Sequence, residues 1–108
     1  MNFDTYQGLA QRTANKSLSV KEKVLNGVMG MCGESGEAID IVKKHAAQGH
    51  ELDVGHLIEE AGDCLWYIAE LCSALGVSMD DVANINIEKL KKRYPQGFDV
   101  EHSVHREE

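Results

Sequence analysis

The sequence predicts an all-α protein, a helical bundle built on an antiparallel helix hairpin. Three observations lead there. Proline occurs once, at Pro95. Strand-like alternation is scarce. Two long segments carry apolar residues in steps of three and four, the signature of a helix that buries one face.

Each helix has its own boundary signals. Asp4 with Gln7 resembles a capping box and predicts a first helix over 4–15. Ser19 with Glu22 repeats that signal and opens a second over 20–46, whose expected seam is Val24, Val28, Met31, Ser35, Ile39 and Val42. Asp53 is the expected N-cap of a third over 54–75, with a seam of Ile58, Ala61, Leu65, Ile68, Cys72 and Leu75. Ser78 with Asp81 starts a fourth over 79–94, stopped by Pro95 and Gly97. The two long helices, joined by "AAQGHELD", should fold back on each other. Residues 1–98 are read as a single domain and 99–108 as a polar, mobile C-terminal tail. A hairpin with short flanking helices buries little by itself, so the seams predict completion by oligomerisation.

Composition narrows the function. A net charge of −7 and a pI near 5.1 argue against a nucleic-acid binder or a partner of acidic membranes. No apolar run approaches the roughly 20 residues that cross a bilayer. The start, "MNFDTYQGLAQR", lacks the basic-then-apolar layout of a signal peptide, and the odd trio Cys32, Cys64 and Cys72 reads as reduced, buried thiols. A cytoplasmic location is expected.

The chemistry concentrates in two acidic pairs. In "CGESGEAID", Glu34 and Glu37 lie three residues apart, each preceded by a glycine. In "EEAGDCLWY", Glu60 and Asp63 have the same spacing. Residues at i and i+3 share a helix face, and a hairpin turning near residue 48 brings 34–37 level with 60–63. Four acids on one patch repel one another unless a hard divalent cation is held between them, and carboxylate oxygens suit Mg²⁺. Glycine inside a helix costs about 1 kcal/mol relative to alanine. Gly33, Gly36 and Gly62 are therefore read as keeping room between the acidic faces. A di-iron bundle would need Glu-x-x-His, which the chain lacks.

The runs "GESGEA", "EEAGDCLWYIAELCSALGVSMDDV" and "NIEKLKKRYPQGF" together resemble the MazG-type all-α nucleoside triphosphate pyrophosphohydrolases, over roughly residues 24–98. The resemblance implies hydrolysis of a nucleoside triphosphate between its α and β phosphates, giving a monophosphate and pyrophosphate. It implies Glu34, Glu37, Glu60 and Asp63 as ligands of Mg²⁺, with Mn²⁺ as a substitute. Glu37, Glu34 and Lys89 would be catalytic, one glutamate taking the proton of the attacking water. Asn86, Lys89, Arg93, Tyr67 and Asn26 would contact substrate. Family members of this size assemble as dimers or tetramers, and a homotetramer is expected here, with a dimer the second choice.

Other signals get plainer readings. "KLKKR" is a solvated helix end, with Lys89 set apart only by the family motif. The five histidines read as surface residues. Trp66 reads as packing rather than base stacking or a subunit contact. Two alternatives stand: a phosphoribosyl-ATP pyrophosphohydrolase of the same fold, and a non-catalytic helical oligomerisation or regulatory module whose acids hold a structural cation.

Overall fold

Local capping chemistry sets the start of each helix in the computed structural model, which describes residues 1–105. The helices are α1 (Phe3–Gln11), α2 (Val20–Gln48), α3 (Val54–Leu75), α4 (Met79–Arg93) and α5 (Val100–Val104), and no strand forms among the described residues. Ser19 and Glu22 make the expected reciprocal box at the start of α2. Asp53 and Ser78 cap α3 and α4 by accepting from the backbone N–H groups of His56 and Asp81. Gly49 and Gly76 end α2 and α3 with φ of 73° and 72°, a left-handed conformation glycine adopts without a Cβ penalty.

The first helix departs from expectation. Its cap is Asn2, which accepts from Thr5 N–H at 2.8 Å, and it ends at Gln11 rather than near 15. Asp4 and Gln7 serve tertiary contacts instead of a capping box. Gln7 Oε1 accepts from Met79 N–H at 2.7 Å and Asp4 Oδ1 from Asp80 N–H at 3.2 Å. Gln7 Nε2 also donates to Ser73 Oγ and to the Val77 carbonyl, both at 3.0 Å. Two side chains of α1 thus fasten the turn between α3 and α4, satisfying N–H groups that open a helix. Within the stretch read as a polar, mobile tail, Asp99 caps the short helix α5; residues 106–108 of that stretch lie outside the described residues.

The hairpin of α2 and α3 is the main packing unit, and its register is the expected one. Asn26 bonds Glu70, Gly30 lies under Tyr67, and Ser35 approaches Cys64. Its seam differs by one residue. Gly27 and Ile41 are buried while Val28, Ile39 and Val42 are exposed, so the face of α2 turned to α3 runs through 27, 30, 34, 38 and 41. Glycine explains the shift. A Cβ on Gly30 would stand 2.2 Å from the Tyr67 ring, and one on Gly27 would stand 3.1 Å from Leu71 Cβ. The helices approach where α2 has no side chain, a face that a count of apolar residues passes over.

The core lies toward the other end of α3 from Glu60 and Asp63. Ala10, Ala69, Cys72 and Met79 form it, with Tyr6, Leu65, Trp66 and Ile68 packed against it. Trp66 is a packing residue as expected, and its Nε1–H donates to Thr13 Oγ1 at 2.8 Å and to the Ala10 carbonyl at 3.2 Å. Ile58 and Leu75, at the two ends of the expected α3 seam, are exposed. Of the cysteines only Cys72 is buried; Cys64 is half-buried and Cys32 exposed, because α2 turns Cys32 away from α3.

Candidate active site

Glu34 and Glu37 sit one turn apart on α2, and Glu60 faces them from α3. One oxygen from each lies within 4.8 Å of the other two. Their burial is graded: Glu37 is exposed, Glu34 half-buried, and Glu60 only 4% exposed. Buried carboxylate oxygens ordinarily have hydrogen-bond partners. Here Glu34 Oε2 and Glu60 Oε2 have no partner outside the acidic cluster. Asp63, the fourth expected member, stands apart from this trio. It is exposed one turn beyond Glu60 and, with Glu34, Trp66 and Tyr67, lines a cavity of about 270 Å³.

Crowding perturbs the protons. The Glu34 carboxyl is pushed up to about 7, chiefly by its hydrogen bond with Glu60, then by desolvation and the charges of Glu37, Glu60 and Asp63. Glu60 is held below the usual carboxylate range, first by that same hydrogen bond and further by Glu37 and His56. Glu34 and Glu60 lie close enough that ionising both at once is costly. The pair therefore keeps a proton above the pH at which isolated carboxyls lose theirs.

A divalent cation fits what is here. The donors are all carboxylate oxygens, the set preferred by hard ions, and two buried oxygens lack any other partner. A cation would also displace the proton the pair keeps and offset the repulsion that raises Glu34.

Two cavities border the acids. Besides the smaller one, a cavity of about 570 Å³ lies toward the loop, lined by Gly33, Gly36, Glu37, Lys44, His50 and His56 among others. Nothing lies within 4 Å of a Cβ built on Gly33, Gly36 or Gly62. All three border open space; the glycines that a neighbour requires are Gly27 and Gly30. Tyr67 covers Gly30, meets Trp66 edge-on at 5.1 Å, and reaches the smaller cavity beside Glu34.

The remaining expected site residues divide. Asn26, two turns before Glu34, donates through Nδ2 to Glu70 Oε2 at 2.6 Å. Asn86 and Lys89 are exposed on α4 and Arg93 is half-buried at its end; α4 packs on α1 and α3, and both cavities are lined by α2, α3 and their connection. Sequence reasoning missed two residues. Glu70 is wholly buried beneath Asn26. His56 reaches Glu60 at 3.1 Å rather than standing free as a surface histidine. Its i,i+4 spacing from Glu60 was the available signal.

Residues 23–98 match the MazG nucleotide pyrophosphohydrolase domain. The chain belongs to that family. Members act as nucleotide pyrophosphohydrolases and use divalent metals, in keeping with the acidic cluster on this hairpin. The chain is also 31% identical over 105 residues to Gene 37 protein of Mycobacterium phage L5, an alignment covering 90% of this chain and 92% of that protein. No solved structure matches it. No helix among the described residues is long and apolar enough to cross a membrane.

Proposed function

We propose that this MazG-family protein is a Mg²⁺-dependent nucleoside triphosphate pyrophosphohydrolase, with Mn²⁺ able to substitute. The observation that carries the reading is the trio Glu34, Glu37 and Glu60, gathered within 4.8 Å, with two buried oxygens that nothing outside the trio partners. These three residues would hold the ion together with Asp63, which lines the same small cavity as Glu34. The ion supplies charge neutralisation at the triphosphate and lowers the pKa of water.

The chain's own groups do the rest. Glu37, the exposed member, borders the larger cavity and takes the proton of the attacking water. The water oxygen forms a bond to the α-phosphorus while the bond from that phosphorus to the α–β bridging oxygen breaks, so pyrophosphate leaves in line. Lys89 stabilises charge on the leaving side, while Asn86, Arg93, Tyr67 and Asn26 bind substrate. Tyr67 already reaches the smaller cavity next to Glu34 and Asp63, which supports its part.

Residues 1–98 act as one domain, and the protein assembles as a homotetramer, or failing that a dimer. Its radius of gyration of 16.9 Å supports this, since a compact chain of this length has about 13 Å. Met29, Ile39, Ile58 and Ile85 are each more than half exposed, leaving apolar surface for other copies to cover. A second copy is also the natural source of the α4 residues near each acidic cluster. Light scattering during gel filtration reads the assembly. The three unpaired cysteines suit a reducing cytoplasm.

The deciding experiment incubates a panel of ribo- and deoxynucleoside triphosphates with Mg²⁺ and resolves pyrophosphate from orthophosphate. Pyrophosphate with the matching monophosphate, absent with Glu60→Gln, is the expected result. Orthophosphate alone, or no turnover of any triphosphate, overturns this substrate assignment.

A further inference from the structure

His56 stands one turn before Glu60 on α3, and its Nε2 lies 3.1 Å from Glu60 Oε1. That contact occupies one oxygen of a carboxylate that is 4% exposed; the other, Oε2, is the buried atom with no partner outside the acidic cluster. The backbone that carries the imidazole is itself held. Asp53 Oδ1 accepts from the His56 backbone N–H at 3.1 Å, and Asp53 Oδ2 lies 3.9 Å from the ring Nδ1. The helix cap thus stands beside the nitrogen that does not face Glu60. From this geometry we infer that His56 is a positioning residue for the cation site: its Nε2–H fixes Glu60 Oε1 so that Oε2 is presented to the ion held with Glu34 and Glu37.

The inference rests on the reading of the acidic trio as a metal site. Its physical basis is that a carboxylate with one oxygen engaged by a fixed donor loses much of its freedom to rotate. The ordering cost that an ion would otherwise meet on binding is then already met by the fold. Glu60 needs such help more than its neighbours do, because it reaches the trio alone from α3 whereas Glu34 and Glu37 share one helix. His56 acts through Glu60 rather than as a ligand, since the group of ligand atoms lying within 4.8 Å of one another comprises Glu34, Glu37 and Glu60. The role requires only a hydrogen on Nε2, donated to the Glu60 oxygen.

The test is Mn²⁺ binding by calorimetry to the full metal-free chain, without nucleotide, in wild type, His56→Ala, His56→Gln and Glu60→Gln. Circular dichroism checks that each is folded; His56 is half-exposed, so its replacement leaves the packing intact. His56→Ala should weaken Mn²⁺ binding about 10- to 100-fold. His56→Gln, which restores an N–H donor at similar reach, should recover most of that loss. Mn²⁺ affinity within twofold of wild type in His56→Ala overturns the inference, and so does a glutamine variant no better than alanine. Wild type binding Mn²⁺ no better than Glu60→Gln removes the metal-site reading itself, a failure visible before any histidine variant is compared.

Discussion

The two ends of the α2–α3 hairpin are built on opposite terms. Toward the α1 end, Gly27 and Gly30 let α3 come within contact distance, and Ala69, Cys72 and Trp66 pack with α1 and the start of α4. Toward the connecting loop, the same two helices meet through Glu34, Glu37 and Glu60, with Gly33 and Gly36 bordering a cavity. Both ends contain glycines on α2, yet one set answers Leu71 and the Tyr67 ring and the other faces open space. Packing holds the first end together, and the second end is held in place by it. Carboxylates that repel one another can be kept 4.8 Å apart or less only if the rest of the hairpin supplies the free energy.

The largest effect should come from neutralising an acid. Glu60→Gln is expected to lower pyrophosphate release by at least about 100-fold. Its metal-free melting temperature should not fall, because a repulsive charge is lost. A clear drop in that temperature would mean the acids stabilise the hairpin and would break the comparison.

Next comes Gly30→Ala, whose added Cβ would lie 2.2 Å from the Tyr67 ring. Overpacking of this kind costs about 1–3 kcal/mol. In a chain of this size that lowers the melting temperature by several degrees, read by thermal circular dichroism.

A pH series sharpens the contrast without mutation. Glu34 is raised to about 7, so the folded metal-free state binds a proton more tightly than the unfolded chain does. The stability this confers is present at low pH and declines as pH rises from the ordinary carboxylate range through about 7. Metal competes with that proton, so Mg²⁺ affinity should rise over the same interval. Chemical denaturation at several pH values, with and without Mg²⁺, reads both slopes. A metal-free stability that rises from pH 5 to 7 would sink this account.

The smallest expected effect has the opposite sign to Gly30→Ala. Gly33→Ala meets nothing within 4 Å, and gaining a better helix former should stabilise α2 by up to about 1 kcal/mol. A loss of stability on that substitution would show that the loop end is packed after all.

How much of this was readable beforehand depended on the range of the interaction involved. Ser19 with Glu22, Asp53 and Ser78 were correct caps because a cap is decided within three or four residues. Asp4 and Gln7 had the same spacing, but backbone N–H groups some 70 residues away claimed them. The acids were legible because i,i+3 spacing places two carboxylates on one face, and the hairpin register follows from loop position. Asp63 standing apart from the trio was not legible, since it depends on rotation about a helix axis rather than on spacing.

Sequence by itself determined the helical class, the hairpin, its register and which carboxylates could meet, since all of these follow from periodicity and local hydrogen bonding. Tertiary structure alone decided which face of α2 turns inward, because Gly27 and Gly30 permit an approach that no hydrophobic pattern records. It also decided that Glu60 is the most buried of the three clustered acids, that His56 reaches it, and that Glu70 lies beneath Asn26. Burial and side-chain partnership are properties of the space between helices, and that space exists only once they have packed.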